Sequence, residues 1–194
     1  MPQISVQEFE RLPLRAHEVL AGVPLHDVWE VDLPRTRSGI TLDEFLRTAN
    51  APQSTISPVA KALLRIRLLV GGLLGWDREP AATAWKTFAT RLTAADRARS
   101  LAPPGTRSGH FRLVYRFENE ELREIVNRTC HAAALSALVE TENCYRFYFG
   151  VYVRNIGRIT PFYMALIDPF RRVIVYPSLL RSIRTNWVQA FGTV

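Results

Sequence analysis

Lysine is almost missing from this chain: of 25 basic residues among 194, only Lys61 and Lys86 are lysines. Cysteine is as scarce. Cys130 and Cys144 have no nearby cysteine partner or paired histidine, which excludes the usual zinc-binding spacings. Free, half-buried thiols in a reducing cytoplasm are expected, with a single bridge across a hairpin as the alternative. There is no block of five or more like charges. The arginines are scattered from Arg11 to Arg184, so the net charge of +7 reads as a solvated surface rather than a nucleic-acid stripe. Long apolar runs are also lacking. The greasiest stretch, Val59–Trp76, is interrupted by Lys61, Arg65 and Arg67 and is too charged to span a bilayer. The first residues lack a basic segment followed by an apolar one, so no signal peptide is expected. No nucleophile elbow, Walker loop, dinucleotide fingerprint or zinc-protease motif occurs. Gly71-Gly72-x-x-Gly75 follows a helical rather than a strand pattern and has no lysine beside it, unlike a phosphate-binding loop.

What is present fits one domain. A chain of this length buries about 70% of its unfolded surface, and its 47% hydrophobic and 22% charged residues are ordinary globular values. Residues 3–20 read as a short helix and a turn. HDVWEVDL (26–33) alternates, with Val28, Glu30 and Asp32 on one side and Trp29, Val31 and Leu33 on the other, and Pro34 ends it. Thr41 caps a short helix with Glu44 at the capping-box position. Ser57-Pro58 starts a second helix, apolar nearly all round. Its expected partner is the outer side of the C-terminal helix, where Met164, Val175 and Leu179 lie beside Asp168 and Arg172. Ala81–Ser100 adds helical pieces with Thr93 as an N-cap. The helical insertion thus spans about 41–100.

From His110 the period changes from 3.6 to 2. Phe111–Phe117 alternates, Glu118–Glu121 turns, and Leu122–Val139 is extended with a bend near Asn127, although AAALSALV equally suits a helix. Tyr145–Arg154 is the clearest strand, with Tyr145, Phe147, Phe149, Val151 and Val153 on one face and Arg146, Tyr148, Tyr152 and Arg154 on the other. These strands, about 110–155, predict an antiparallel meander. A helix of about thirty residues, roughly 45 Å long, follows over about 160–190. Pro161 stands in its first turn, Pro169 and Pro177 bend it, and Phe162, Leu166, Phe170, Val173, Pro177, Leu180, Trp187 and Phe191 form its inward stripe. The fold class is therefore α+β: a curved antiparallel sheet packed on a long C-terminal helix, with an additional N-terminal helical segment.

Such a sheet grasping a long helix resembles the helix-grip architecture of the START/Bet v 1-like superfamily. The segments HEVLAGVPLHDVWEVDLP, GLLGWD, YRFENEELREIVNRTCH and YVRNIGRITPFYMALIDPFRRVIVYP are similar to a mostly actinobacterial family of uncharacterised proteins, a domain of unknown function, over about residues 17–190. The resemblance implies a cavity between sheet and helix and supplies no catalytic residues.

The functional expectation is a small hydrophobic ligand held between Phe147, Phe149 and Val151 of the sheet and Phe162, Leu166, Phe170 and Val173 of the helix. Tyr115, His131 and Tyr163 are its expected polar lining, and Arg184 is the one charge in the helix stripe. His26, Asp27, Glu30 and Asp32 offer donors and carboxylates, yet no spacing among them specifies a metal. No metal and no cofactor are expected. Two alternatives remain open. One is an enzyme in the same cavity, as in the polyketide cyclases of the helix-grip group. The other is a basic aromatic surface for an acidic partner, built from Arg112, Arg116, Arg146, Arg154, Tyr148 and Tyr152.

Overall fold

The computed structural model describes residues 4–49, 85–157 and 159–192, with single positions 62, 65, 69, 71–72 and 75–76 between them. The helix expected from Ser57 onward lies outside the described residues apart from helical backbone at 62, 65, 69 and 71–72. Two five-residue helices, α1 (Val6–Glu10) and α2 (Arg15–Val19), precede β1 (Leu25–Pro34) and α3 (Leu42–Ala49). A 3-10 turn (Phe88–Arg91) and α4 (Ala94–Arg99) lead into β2 (Arg107–Ser108), β3 (Phe111–Arg116), β4 (Glu120–Val126), β5 (His131–Glu140) and β6 (Cys144–Arg154). The C-terminal helix then runs as α5 (Ile159–Phe170), a π-helical segment (Arg171–Val175) and α6 (Tyr176–Phe191).

The expected local signals decide the local structure. Thr41 Oγ1 accepts the amide of Glu44, 3.1 Å, and Thr93 with Asp96 forms a complete capping box on α4. The extended stretch breaks at Asn127, whose side-chain oxygen accepts the amides of Thr129 and Cys130 at 2.9 and 3.0 Å. AAALSALV becomes strand. It sits between β4 and β6 and pairs with β6 from His131 opposite Arg154 to Glu140 opposite Tyr145. Tertiary pairing overrides a local preference for helix there.

The six strands form one antiparallel sheet in the order β1-β6-β5-β4-β3-β2. Both faces are covered. On the helix face, Trp29, Val31 and Leu33 of β1 lie in register with Phe149, Phe147 and Tyr145 of β6, and α3, α5 and α6 cover them. On the N-terminal face, Val28, Tyr148, Tyr152, Ala133 and Leu135 lie under α1, α2 and the 3-10 turn. Small residues make room there: Phe9 crosses over Gly150, where an added Cβ would come within 3.3 Å of its ring. α2 has no capping side chain of its own. Glu120 of β4 substitutes, accepting the amides of Arg15 and Ala16 at 2.9 and 2.7 Å, and Tyr115 donates its hydroxyl to the same carboxylate.

The C-terminal helix is helical throughout, but its inward stripe is not one straight line. Leu180 and Trp187 are fully buried as expected. In the first half, Phe162, Leu166, Phe170 and Val173 are 68%, 50%, 48% and 73% exposed, while Tyr163 and Met164 are buried. The π segment explains this correction. Tyr176 donates its amide to the carbonyl of Arg171, five residues back, so one extra residue is wound into the helix. That turns the first half by roughly 100° relative to the second.

Trp187 is the keystone of the second half. Its ring packs on Tyr145, Phe45 and Phe191 with centroids 5.2, 5.3 and 4.8 Å away, and Nε1 donates to the Pro34 carbonyl at 2.8 Å. Trp187→Ala should cost about 3–5 kcal/mol in urea denaturation. Trp187→Phe, which keeps a ring but orphans that carbonyl, should cost about 1–3 kcal/mol. Wild-type midpoints for both would show that the end of α6 contributes nothing.

Candidate functional site

Two backbone irregularities face each other across the sheet–helix interface. Leu25 pairs with Tyr152 and Asp27 with Val151, so His26 is an extra residue of β1 with no partner on β6. A bulge of this kind re-aims the side chains beside it. Opposite stands the π segment, which rotates Asp168 and Arg171 toward β1. A strand bulge and a π segment are each often found at functional sites. Here they meet.

The side chains between them form a polar cluster. His26 Nε2 lies 2.9 and 2.8 Å from the two oxygens of Asp168. Arg171 Nη1 donates to Asp168 Oδ1 at 2.9 Å, and its Nη2 donates to the Tyr176 hydroxyl. Nη2 also stands 3.6 Å from Asp27 Oδ2. Arg172 reaches Asp168 only at 3.9 Å, so the i,i+4 pair expected from the sequence is the weakest contact of that carboxylate. His26 and Asp168 keep 24% and 20% of their side-chain surface open to solvent, whereas the Asp27 side chain has none. Trp29, Tyr176 and Phe149 form one wall, with centroids 5.5 Å apart for Trp29–Tyr176 and 5.7 Å for Phe149–Tyr176.

Asp27 is anomalous. Neither carboxylate oxygen has a hydrogen-bond partner, and neither does the buried Nε1 of Trp29, two residues along on the same face of β1. Orphaned buried polar groups cost roughly 1–3 kcal/mol each, more when charged. Burial pushes the Asp27 carboxyl above its ordinary 3.8, against the opposing pull of Arg171 and His26. The cluster therefore holds a carboxyl of raised pKa beside an imidazole oriented by a second carboxylate. His26, Asp27 and Asp168 are also the groups that would hold a cation, each offering a donor atom within 4.8 Å of the others.

The residues singled out from the sequence divide between the two faces. Phe147, Phe149 and Tyr163 lie on the helix face. Tyr115 and His131 do not line it. Tyr115 lies in the core of the N-terminal face, bonded to Glu120. His131 is stacked on Phe88 at 4.0 Å with Nε2 2.9 Å from the buried Glu124 carboxylate. Alternation about the β5 and β3 pleats sends both to that side. Leu166 and Phe170 are half-exposed by the π rotation, and Arg184 is exposed. The basic aromatic surface is not assembled either. Tyr148 packs against Phe9 at 6.0 Å and Tyr152 is buried beside it in the same core, while Arg116 and Arg146 bond Glu121 and Asp32 at 2.6 and 2.7 Å. Asp168, Arg171 and Tyr176 were missed as site residues. The available signal was the pair Pro169 and Pro177, which marks where helical phase cannot be extrapolated.

The profile of a family described as "Protein of unknown function (DUF2867)" matches residues 19–178. The chain belongs to the DUF2867 family. No curated protein and no solved structure matches it. The match includes every member of the polar cluster, from His26 to Tyr176, and stops before Trp187. Among the described residues of this DUF2867 protein, no helix is long and apolar enough to cross a membrane.

Asp27 gives a prediction with a definite sign. A carboxyl whose folded-state pKa is raised is penalised once the pH climbs above the unfolded value, and fully so above the folded one. Asp27→Asn should therefore unfold at a higher urea midpoint than the wild type at pH 7. The gap should close as the pH falls toward the ordinary carboxyl value. A variant much less stable than wild type at pH 7 would make Asp27–Arg171 a structural ion pair instead.

Proposed function

We propose that this protein binds a small molecule between the sheet and the C-terminal helix, holding the polar end of an otherwise apolar ligand at the His26–Asp27–Asp168–Arg171 cluster. One observation carries this reading. Asp27 is a buried acceptor and Trp29 Nε1 a buried donor on one strand face, and the protein satisfies neither. Native proteins satisfy nearly all such groups, and the exceptions concentrate at functional sites. Trp29, Phe149, Tyr176 and Tyr163 supply the apolar surround, which supports a ligand with a hydrophobic body. The strand order β1-β6-β5-β4-β3-β2, followed by a long helix over one face, supports the resemblance to the helix-grip group. Cys130 and Cys144 are thiols rather than a disulfide, which supports a cytoplasmic setting.

A second reading, an acid–base enzyme in the same place, draws on the raised Asp27 carboxyl beside His26. A carboxyl held above its ordinary pKa within reach of an imidazole is a usual making of general acid–base catalysis. It places the reacting group against Asp27 rather than deeper among the aromatics.

Native mass spectrometry of the purified protein should reveal a co-purifying small molecule. Trp29→Phe, which removes one donor and keeps a ring, and Asp27→Asn should each weaken its retention by roughly ten- to a hundredfold, the worth of one buried hydrogen bond. Undiminished retention in both variants would move the ligand away from this cluster. Protein that carries no ligand and takes up no apolar fluorescent probe would end the binder reading.

A further inference from the structure

We infer that His26, Asp27 and Asp168 form a site for a divalent transition-metal cation of the zinc, cobalt or manganese class. The inference rests on the reading that this cluster is the functional site, and not on the identity of any organic ligand. It starts from distances. His26 Nε2 stands 2.8 Å from Asp168 Oδ2 and 4.0 Å from Asp27 Oδ2, and the three donor atoms all fall within 4.8 Å of one another. A tetrahedral cation with bonds of about 2.0–2.1 Å keeps its donor atoms roughly 3.3 Å apart. The observed separations, from 2.8 Å to no more than 4.8 Å, bracket that spacing.

Three close carboxyl and imidazole groups are common on protein surfaces, so the weight falls on Asp27. It lies at the floor of the cluster with no exposed side-chain surface and no hydrogen bond to either oxygen. A buried carboxylate with no hydrogen bond, its nearest ion-pair partner 3.6 Å away, is costly, and a coordinated cation offsets that cost. His26 and Asp168 are partly open to solvent and form the entry. Behind them Arg171 pins Asp168 Oδ1 and is itself held by the Tyr176 hydroxyl. That leaves Oδ2 to His26, with Arg172 only at 3.9 Å, and Arg171 gives the outer-sphere support that metal-binding carboxylates usually have. The chief competitor is Arg171 itself, 3.6 Å from Asp27. An entering cation takes over Asp27 and leaves Arg171 its two shorter bonds.

The donor set selects the metal class. One imidazole nitrogen and two carboxylate oxygens suit a borderline cation. Calcium and magnesium prefer all-oxygen sites with more ligands, and copper(I) prefers sulfur. Three protein ligands leave at least one position open, the arrangement of catalytic rather than structural zinc sites.

Cobalt(II) added to the chelator-stripped full chain tests this without any organic ligand. One equivalent should bind with visible d–d absorption, and zinc should displace it. Asp27→Asn and His26→Gln should each lower cobalt affinity by more than the 10–100-fold that outer-sphere changes typically cost, while Asp32→Asn, on the other face of β1, should leave it unchanged. Asp168→Asn removes contacts to both His26 and Arg171, so Asp27→Asn, expected to fold well, decides if that variant fails. Absence of the bands with excess cobalt, or bands undiminished in Asp27→Asn and His26→Gln, would overturn the metal assignment. A co-purifying organic molecule in protein that binds no cobalt would overturn it while sparing the binder reading.

Discussion

Pro177 has no amide hydrogen, and it stands inside the long C-terminal helix. The carbonyl of Val173 cannot be served in the ordinary α pattern, and the ring crowds the turn before it. The helix responds with five residues of π-helix between Phe170 and Tyr176. One extra residue is wound in, and everything N-terminal to it is turned about the axis. That rotation sends Phe162, Leu166 and Phe170 outward, packs Tyr163 and Met164 on the sheet, and aims Asp168 and Arg171 at the start of β1. Without it, Asp168 would not face His26. The position of the polar cluster is thus a consequence of helix winding as much as of side-chain chemistry.

The two halves of the C-terminal helix carry opposite loads. Beyond Pro177, Leu180 and Trp187 complete a closed aromatic core with Tyr145 and Phe45. Before it, the interface contains charge, orphaned polar atoms and a strand bulge. Folded proteins tolerate such local violations where the surrounding structure over-determines them. Here the supporting structure is the core of α6 on one side and the β1–β6 ladder on the other.

Most of the fold was legible because its signals are short-range. Alternation in HDVWEVDL and YRFYFGVYVR sorted every core residue of β1 and β6 onto the right face, and Thr41 and Thr93 cap the helices they were expected to cap. The helix stripe was legible only as far as 3.6-residue periodicity held. Counted back from Trp187 it runs through Leu180 and Val173 to Phe162, and it fails where the π segment begins. Tyr115 and His131 misled for another reason. Each is a buried polar ring, but their partners Glu120 and Glu124 come from a neighbouring strand whose register no spacing reveals. The cluster was half visible. His26 and Asp27 were noted, with Glu30 and Asp32, as polar groups of β1, while Asp168 read as the partner of Arg172 and Arg171 was not singled out.

The pairing of β1 with β6 also sets the order in which this chain can be completed. The bond from Trp187 Nε1 to the Pro34 carbonyl joins residues 153 positions apart, and Glu120 reaches the amides of α2 across 104 and 105 positions. Helices of five residues do not persist alone, so α1 and α2 form only once β4 and β6 exist to receive them. Closing loops this long before the contacts reward it makes for slow folding. On the ribosome β1 is made more than a hundred residues before β6, and it remains an unpaired strand until β6 emerges. During that interval Trp29, Val31 and Leu33 are uncovered, and the newly made chain depends on chaperones, or on speed, to reach its own β6 before another molecule's edge.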